Sequence, residues 1–236
     1  MSIQINYKKN SFKPNSTNLI LFVDENFGIS GLKKYISTSE YSYISDLLKT
    51  SDLKKDILFF EISSKKTIFI ISIKKNIKMS DIESLGAKFH SFINFDKVKD
   101  YFVNSDTINS KIENFLGHFL HGLKLKSYDF SIYKSKKNKK NISINVIGNK
   151  KVTSAQNQLR FKAIEEGTFF ARDLVSEPGN ILHPDEYSKR IKLLKKFGLK
   201  INIYDKKKLK KLGMNALLGG GQGSIRGSYL VTIEGN

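Results

Sequence analysis

Short apolar runs, each too brief for a helix, recur along this chain between stretches of helical spacing. Asn18 to Val23 (NLILFV) is unbroken in its hydrophobicity and closes on Asp24, as a buried strand does before a turn. Ile57 to Ile62 and Thr67 to Ile73 read as two further strands, with Ser63-Ser64-Lys65-Lys66 suited to a hairpin turn between them. Tyr128 to Tyr133 and Ile142 to Ile147 read as strands flanking a Lys/Asn-rich tip at Lys134–Asn141. Between them lie helical patterns. Glu40 to Leu48 places Tyr43, Leu47 and Leu48 on one face. Ser80-Asp81-Ile82-Glu83 has the form of a capping box opening a helix to about Phe95. Asn109 to Leu123 carries Ile112, Phe115, Leu116 and Phe119 at helical spacing. Strands alternating with helices predict an α/β layered domain.

The second half is punctuated by two prolines. A strand ends at Ile147, and Gly148-Asn149-Lys150-Lys151 is turn-like, which puts a boundary near Gly148–Thr153. A long helix capped by Thr153 or Ser154 carries Leu159, Ala163, Gly167, Phe170 and Leu174. It cannot pass Pro178 and ends about Ser176. Pro184-Asp185-Glu186 suits the first turn of the next helix, which Gly198 closes. Lys200 to Tyr204 is a strand, Asp205 caps a short helix, and Tyr229 to Ile233 is a strand. The order is β-α-β, read here as a parallel sheet begun.

Composition removes several chemistries. The 236 residues contain no Cys, so disulfides, thiolate metal sites and cysteine nucleophiles are excluded, which fits a reducing compartment. No apolar run reaches the roughly 18 residues that span a bilayer, and the N-terminus lacks a signal-peptide core. The expectation is a cytoplasmic protein. The net charge of +19 raises nucleic-acid binding. Residues 1–150 carry +11 and residues 151–236 carry +8, so the excess is spread, and it is almost all Lys rather than the Arg that specific readers favour.

Candidate chemistry is thin. His118 and His121, three apart on a helix, could face one metal, but no acid lies near in sequence, and a partly exposed pair is the simpler reading. His183 reads as a structural variant at a turn. Glu165, Glu166, Asp173 and Glu177 could pair for acid–base or metal work; anchoring ion pairs are the favoured reading. Gly219-Gly220-Gly221-Gln222-Gly223 lacks the ending of a P-loop and reads as a turn whose glycines take angles other residues avoid. Ser224 has no base to activate it.

Two signatures carry a resemblance. The first is Glu166-Gly167-Thr168-Phe169-Phe170-Ala171-Arg172-Asp173-Leu174-Val175-Ser176-Glu177-Pro178-Gly179-Asn180-Ile181-Leu182-His183-Pro184. The second is Leu212-Gly213-Met214-Asn215-Ala216-Leu217-Leu218-Gly219-Gly220-Gly221-Gln222-Gly223-Ser224, followed by the strand Tyr229–Glu234. Together they resemble the entry to the catalytic domain of the leucyl aminopeptidase (cytosol aminopeptidase) family of two-metal peptidases. The resemblance implies an N-terminal α/β (macro-like) domain over 1–150, a linking helix over 151–178, and an incomplete β-α-β start of the catalytic domain over 179–236. It implies, for the full-length enzyme, release of N-terminal amino acids from peptides through two divalent metals (Mn, Zn or Mg) that activate a bridging water, in a cytoplasmic homo-hexamer. The family's ligands lie in a Gly-Lys-Gly-x-x-x-Asp-x-Gly-Gly type segment expected soon after Ile233. This sequence has none, so no catalytic, metal or substrate-binding residue is assigned and the chain alone is expected to be inactive. The alternative is a non-catalytic accessory module that binds DNA or a protein partner, with Lys136, Lys137, Lys139 and Lys140 as part of its face.

Overall fold

A computed structural model describes residues 2–7, 18–93, 100–135 and 141–235. The chain divides into two compact units, Met1–Phe169 and Phe170–Asn236.

The first unit is built on a six-stranded sheet. Its strands are β1 (Ser2–Asn6), β2 (Asn18–Asp24), β3 (Ile57–Ser63), β4 (Lys66–Ile73), β5 (Asp100–Asn104) and β6 (Asn141–Ile147), in spatial order β1-β6-β5-β2-β4-β3. All neighbours run parallel except the β3–β4 hairpin at one edge. Both faces are covered, which is why residues 19–23 of β2 are all apolar rather than alternating. Leu19, Leu21 and Val23 join one buried cluster with Ile44, Leu58, Ile68 and Ile70. Ile20 and Phe22 join the other with Phe69, Phe89, Phe115 and Phe119. The rings of Phe115 and Phe119 meet that of Phe22 edge-on, at 5.6 and 5.3 Å.

Helix α1 (Thr38–Leu48) lies with the first cluster. Its start is a capping box at Ser37: the Glu40 N–H donates to Ser37 Oγ and the Ser37 N–H to Glu40 Oε2. Ile44 is its buried residue, and Leu47 and Leu48 pack against the same cluster, while Tyr43 is 48% exposed and does not share the face expected of it. Helices α2 (Met79–Phe89) and α3 (Phe115–Lys126) lie with the second cluster. They cross where each lacks a side chain. A Cβ on Gly86 would stand 1.9 Å from the Phe119 carbonyl oxygen, and one on Gly122 would stand 1.9 Å from that of Glu83. These glycines set the helix spacing.

Three expectations need correction. Helix α2 starts with the Lys78 N–H bound to the Asp81 carboxylate, not with a Ser80–Glu83 box, and passes into a 3-10 turn, His90–Phe92. Helix α3 begins only at Phe115, because Asn114 is in the left-handed region (φ +54°). Residues 128–133 form no strand. Strand β1 occupies the place beside β6 instead, with Ile3 opposite Ile142, and Tyr128 packs its ring on Phe169.

Helix α4 (Ala155–Ser176) starts with Ser154 Oγ accepting the Asn157 N–H and stops before Pro178, as expected. In the second unit α5 (Pro184–Lys192) has Pro at its first turn and continues as a 3-10 turn to Phe197, closed by Gly198 at φ +84°. Strand β7 (Lys200–Tyr204) is followed by α6 (Lys206–Lys211), whose cap Asp205 accepts the Lys208 N–H, then α7 (Asn215–Gly220) and β8 (Leu230–Glu234). The β-α-β order is present, but β7 and β8 pair antiparallel, Ile201 opposite Ile233, so the expected parallel pair is corrected. Two helices and a turn bring the chain back in the reverse direction.

Candidate functional site

In the first unit a cleft of about 790 Å³ opens between β1, α3 and the first part of α4. Phe161 of α4 fits over Gly117, where a Cβ would come within 2.4 Å of its ring. Its ring touches both helical histidines, with centroids 5.0 Å from His118 and 5.2 Å from His121. Each histidine has its own acid, distant in sequence. His118 Nδ1 lies 2.9 Å from Glu83 Oε1, and His121 Nδ1 lies 3.0 Å from Glu165 Oε1. His121 and Glu165 are buried, so the expectation of a partly exposed pair is corrected for His121, while His118 is half-buried.

Beside them, Lys124 donates to the Ile3 carbonyl oxygen. Burial lowers its pKa, against the attraction of Glu165. Burial, with the negative charge of Glu165 adding to it, pushes the Tyr7 phenol up to about 12. Neither residue stood out in the sequence. A Lys in a last helical turn and a Tyr after a strand carry no signal of shared surroundings. His90 is half-buried, and desolvation with Lys126 nearby lowers its pKa.

The remaining candidates are held locally. Glu166 faces Lys162 across an exposed helical turn at 3.8 Å. Glu177 binds Arg190 at 2.9 Å, and Glu186 takes the same guanidinium at 3.3 Å. His183 occupies the cap of α5 without a side-chain capping bond; its Nδ1 is 3.2 Å from Asp185 Oδ2. Asp185 also accepts the Tyr229 hydroxyl at 2.6 Å, which, with His183 and Arg226 nearby, holds its carboxyl below the usual range. Ser224 Oγ accepts the Arg226 N–H.

The glycine run is not held by unusual angles. None of Gly219, Gly220, Gly221 and Gly223 has positive φ; a Cβ at Gly221 would fall 2.1 Å from Ser228 Oγ, a side-chain atom that can rotate away. Lys136, Lys137, Lys139 and Lys140 lie outside the described residues. Among the described residues no three His, Asp or Glu side chains converge as a metal site, so the residues present do not fit a two-metal centre. No helix among them is long and apolar enough to cross a membrane.

Comparison with known proteins bears on the second unit most directly. The sequence model of the cytosol aminopeptidase family, catalytic domain, matches residues 169–235. A probable cytosol aminopeptidase of Phytoplasma mali is 44% identical over 125 residues, 50% of this chain and 25% of that protein. One from Agrobacterium fabrum is 30% identical over 202 residues, 83% of this chain and 41% of that protein. The fold matches a mutant of tomato leucine aminopeptidase with TM-score 0.74 at 17% identity, over 99% of this chain and 50% of that one. The chain belongs to the leucyl (cytosol) aminopeptidase family. Its catalytic-domain match begins one residue before the second compact unit does. The chain spans 25% and 41% of the two curated aminopeptidases named above. At 14–17% identity the tomato enzyme and the bottromycin maturation enzyme BotP show a shared fold.

Proposed function

We propose that this chain is the N-terminal portion of a leucyl-type metalloaminopeptidase. Residues 1–150 would form the accessory α/β domain, 151–178 the linking helix, and 179–236 the beginning of the catalytic domain. The whole protein would release N-terminal amino acids from peptides in the cytoplasm, with two divalent metals (Mn, Zn or Mg), as a homo-hexamer. One observation carries this reading: the catalytic-domain match covers 169–235 in a chain that spans at most 41% of the relatives above.

The metal ligands would come from outside this chain, since the residues described here do not converge on an ion. No step of the reaction is therefore assigned to any of them. The His121–Glu165 and Glu177–Arg190 pairs are read as anchors of α4, not as acid–base groups.

The test has two parts. Coding sequence beyond codon 236 should continue into a Gly-Lys-Gly-x-x-x-Asp-x-Gly-Gly type segment; a stop with no such segment downstream would overturn the reading. The purified 236-residue chain should not hydrolyse leucyl-p-nitroanilide with added Mn or Zn, and metal-dependent turnover would show that ligands lie within it.

A further inference from the structure

Counted by halves the positive charge looks even, yet residues 187–212 carry eleven Lys or Arg against a single acid, Asp205. Three of these charged groups are engaged within the second unit. Arg190 is held by Glu177 and Glu186, Lys200 by Glu234, and Asp205 caps α6. Lys192, Lys195 and Lys208 are different. They line a groove of about 430 Å³ that runs along β7 past Ile201, Ile203 and Tyr204. Among the described residues none of these three has a carboxylate within ion-pair distance, whereas Lys66, Lys74, Lys88 and Lys200 each do.

The groove floor is a strand edge. Among the described strands β7 pairs only with β8. An antiparallel ladder uses the N–H and C=O of every second residue, so the alternate groups face the other way, with no described strand beside them. Lys208 Nζ stands 3.5 Å from the Ile203 carbonyl oxygen, so a lysine reaches the backbone of this strand.

We propose that the β7 edge takes an extended acidic peptide as a third strand, with its carboxylates on Lys192, Lys195 and Lys208. The edge offers donors and acceptors alternately, which a peptide backbone complements. A phosphodiester chain offers acceptors only and would leave the β7 carbonyls unpaired. The nearby Arg, the residue best shaped for phosphate, is already held by two carboxylates. Lysines on a strand edge also repel like strands; the same field draws an acidic one. The inference does not depend on the aminopeptidase reading.

The test uses the 236-residue chain and a fluorescein-labelled decapeptide of alternating Glu and Val, followed by anisotropy. Binding is expected to weaken with salt and to fall at least about tenfold in the triple variant Lys192→Glu, Lys195→Glu, Lys208→Glu. The control Lys54→Glu, Lys55→Glu, Lys65→Glu makes the same change in net charge on the first unit and should bind normally. Two peptides N-methylated at alternate bonds, one for each parity, keep the charge but remove donors; one of them must lose at least about tenfold. No binding at millimolar peptide, equal binding by both N-methylated peptides, or an equal loss in the control variant would overturn the proposal. So would tighter binding of a single-stranded oligonucleotide with the same lysine dependence, since that would mark a general polyanion surface.

Discussion

Replacing Gly122 by Ala should destabilise the first unit, although alanine is the better helix former. Intrinsic propensity favours the change by about 1 kcal/mol in a helix interior. The new methyl, however, would lie 1.9 Å from the Glu83 carbonyl oxygen and 2.6 Å from its carbon. Ordinary contact begins at 3.4 Å, so the two backbones must separate locally by roughly 1.5 Å. No rotamer can absorb this, because both colliding partners are backbone. Overpacking of this kind costs about 1–3 kcal/mol, and the seam with Leu85, Phe89, Phe119 and Leu123 loses dispersion as it opens. The net expectation is a loss of about 2 kcal/mol, or a fall in melting temperature of about 4–8 °C. Gly86→Ala, which meets the Phe119 carbonyl at the same 1.9 Å, should behave alike. Gly167→Ala on α4 is the control: no atom lies within 4 Å of its Cβ, so it should gain up to about 1 kcal/mol. Urea unfolding followed by far-ultraviolet circular dichroism measures all three. A Gly122→Ala chain as stable as Gly167→Ala would refute the close helix crossing.

Other perturbations have equally definite signs. Glu165→Leu or His121→Leu alone should cost about 1–3 kcal/mol by leaving a buried polar partner unpaired, and the double variant should recover part of that loss in a double-mutant cycle. Tyr7 has a raised pKa, so its contribution is intact below pH 10 and is lost as pH rises toward about 12; the loss is about 2–3 kcal/mol. Tyr7→Phe should flatten that part of the alkaline stability limb. Glu40 works in the opposite sense. Burial opposes its ionised form, but the Lys66 bridge at 2.6 Å and the Ser37 bonds outweigh this and lower its pKa. Its contribution is present above the ordinary value of 4.5 and lost as pH falls through the folded value, so the stability gap between wild type and Glu40→Gln should close on acidification.

What could be read from sequence followed local physics. The all-apolar β2 run, the stop of α4 at Pro178, the Pro184 start and the Asp205 cap each rest on a few adjacent residues, and each is present in the structure. What could not be read depends on partners far along the chain. Glu83 and Glu165 reach their histidines across 35 and 44 positions. Gly86 and Gly122 look like weak helical residues until the facing carbonyl is seen. Residues 128–133 have strand composition, but β1 takes the edge position beside β6, and nothing in 128–133 announces that competitor. The antiparallel pairing of β7 and β8 likewise depends on how α6 and α7 turn the chain, not on either strand's own residues.

The two units differ in how well they bury their own apolar residues, and that difference yields the last prediction. The first has a filled cluster on each face of its sheet. Among the described residues of the second, only Ile191, Ile201 and Leu209 are buried hydrophobics, while Ile225 is 99% exposed and Val175, Leu193 and Phe197 are also largely exposed. A unit of this size normally hides about 60% of its surface and is marginal even then. Residues 170–236 should therefore open well before the first unit melts. Hydrogen exchange should show amides of β7 and β8 unprotected under conditions where β2 and β4 are fully protected. One cooperative transition with equal protection in both units would refute this, because it would require the second unit to have stabilisation that its own core does not supply.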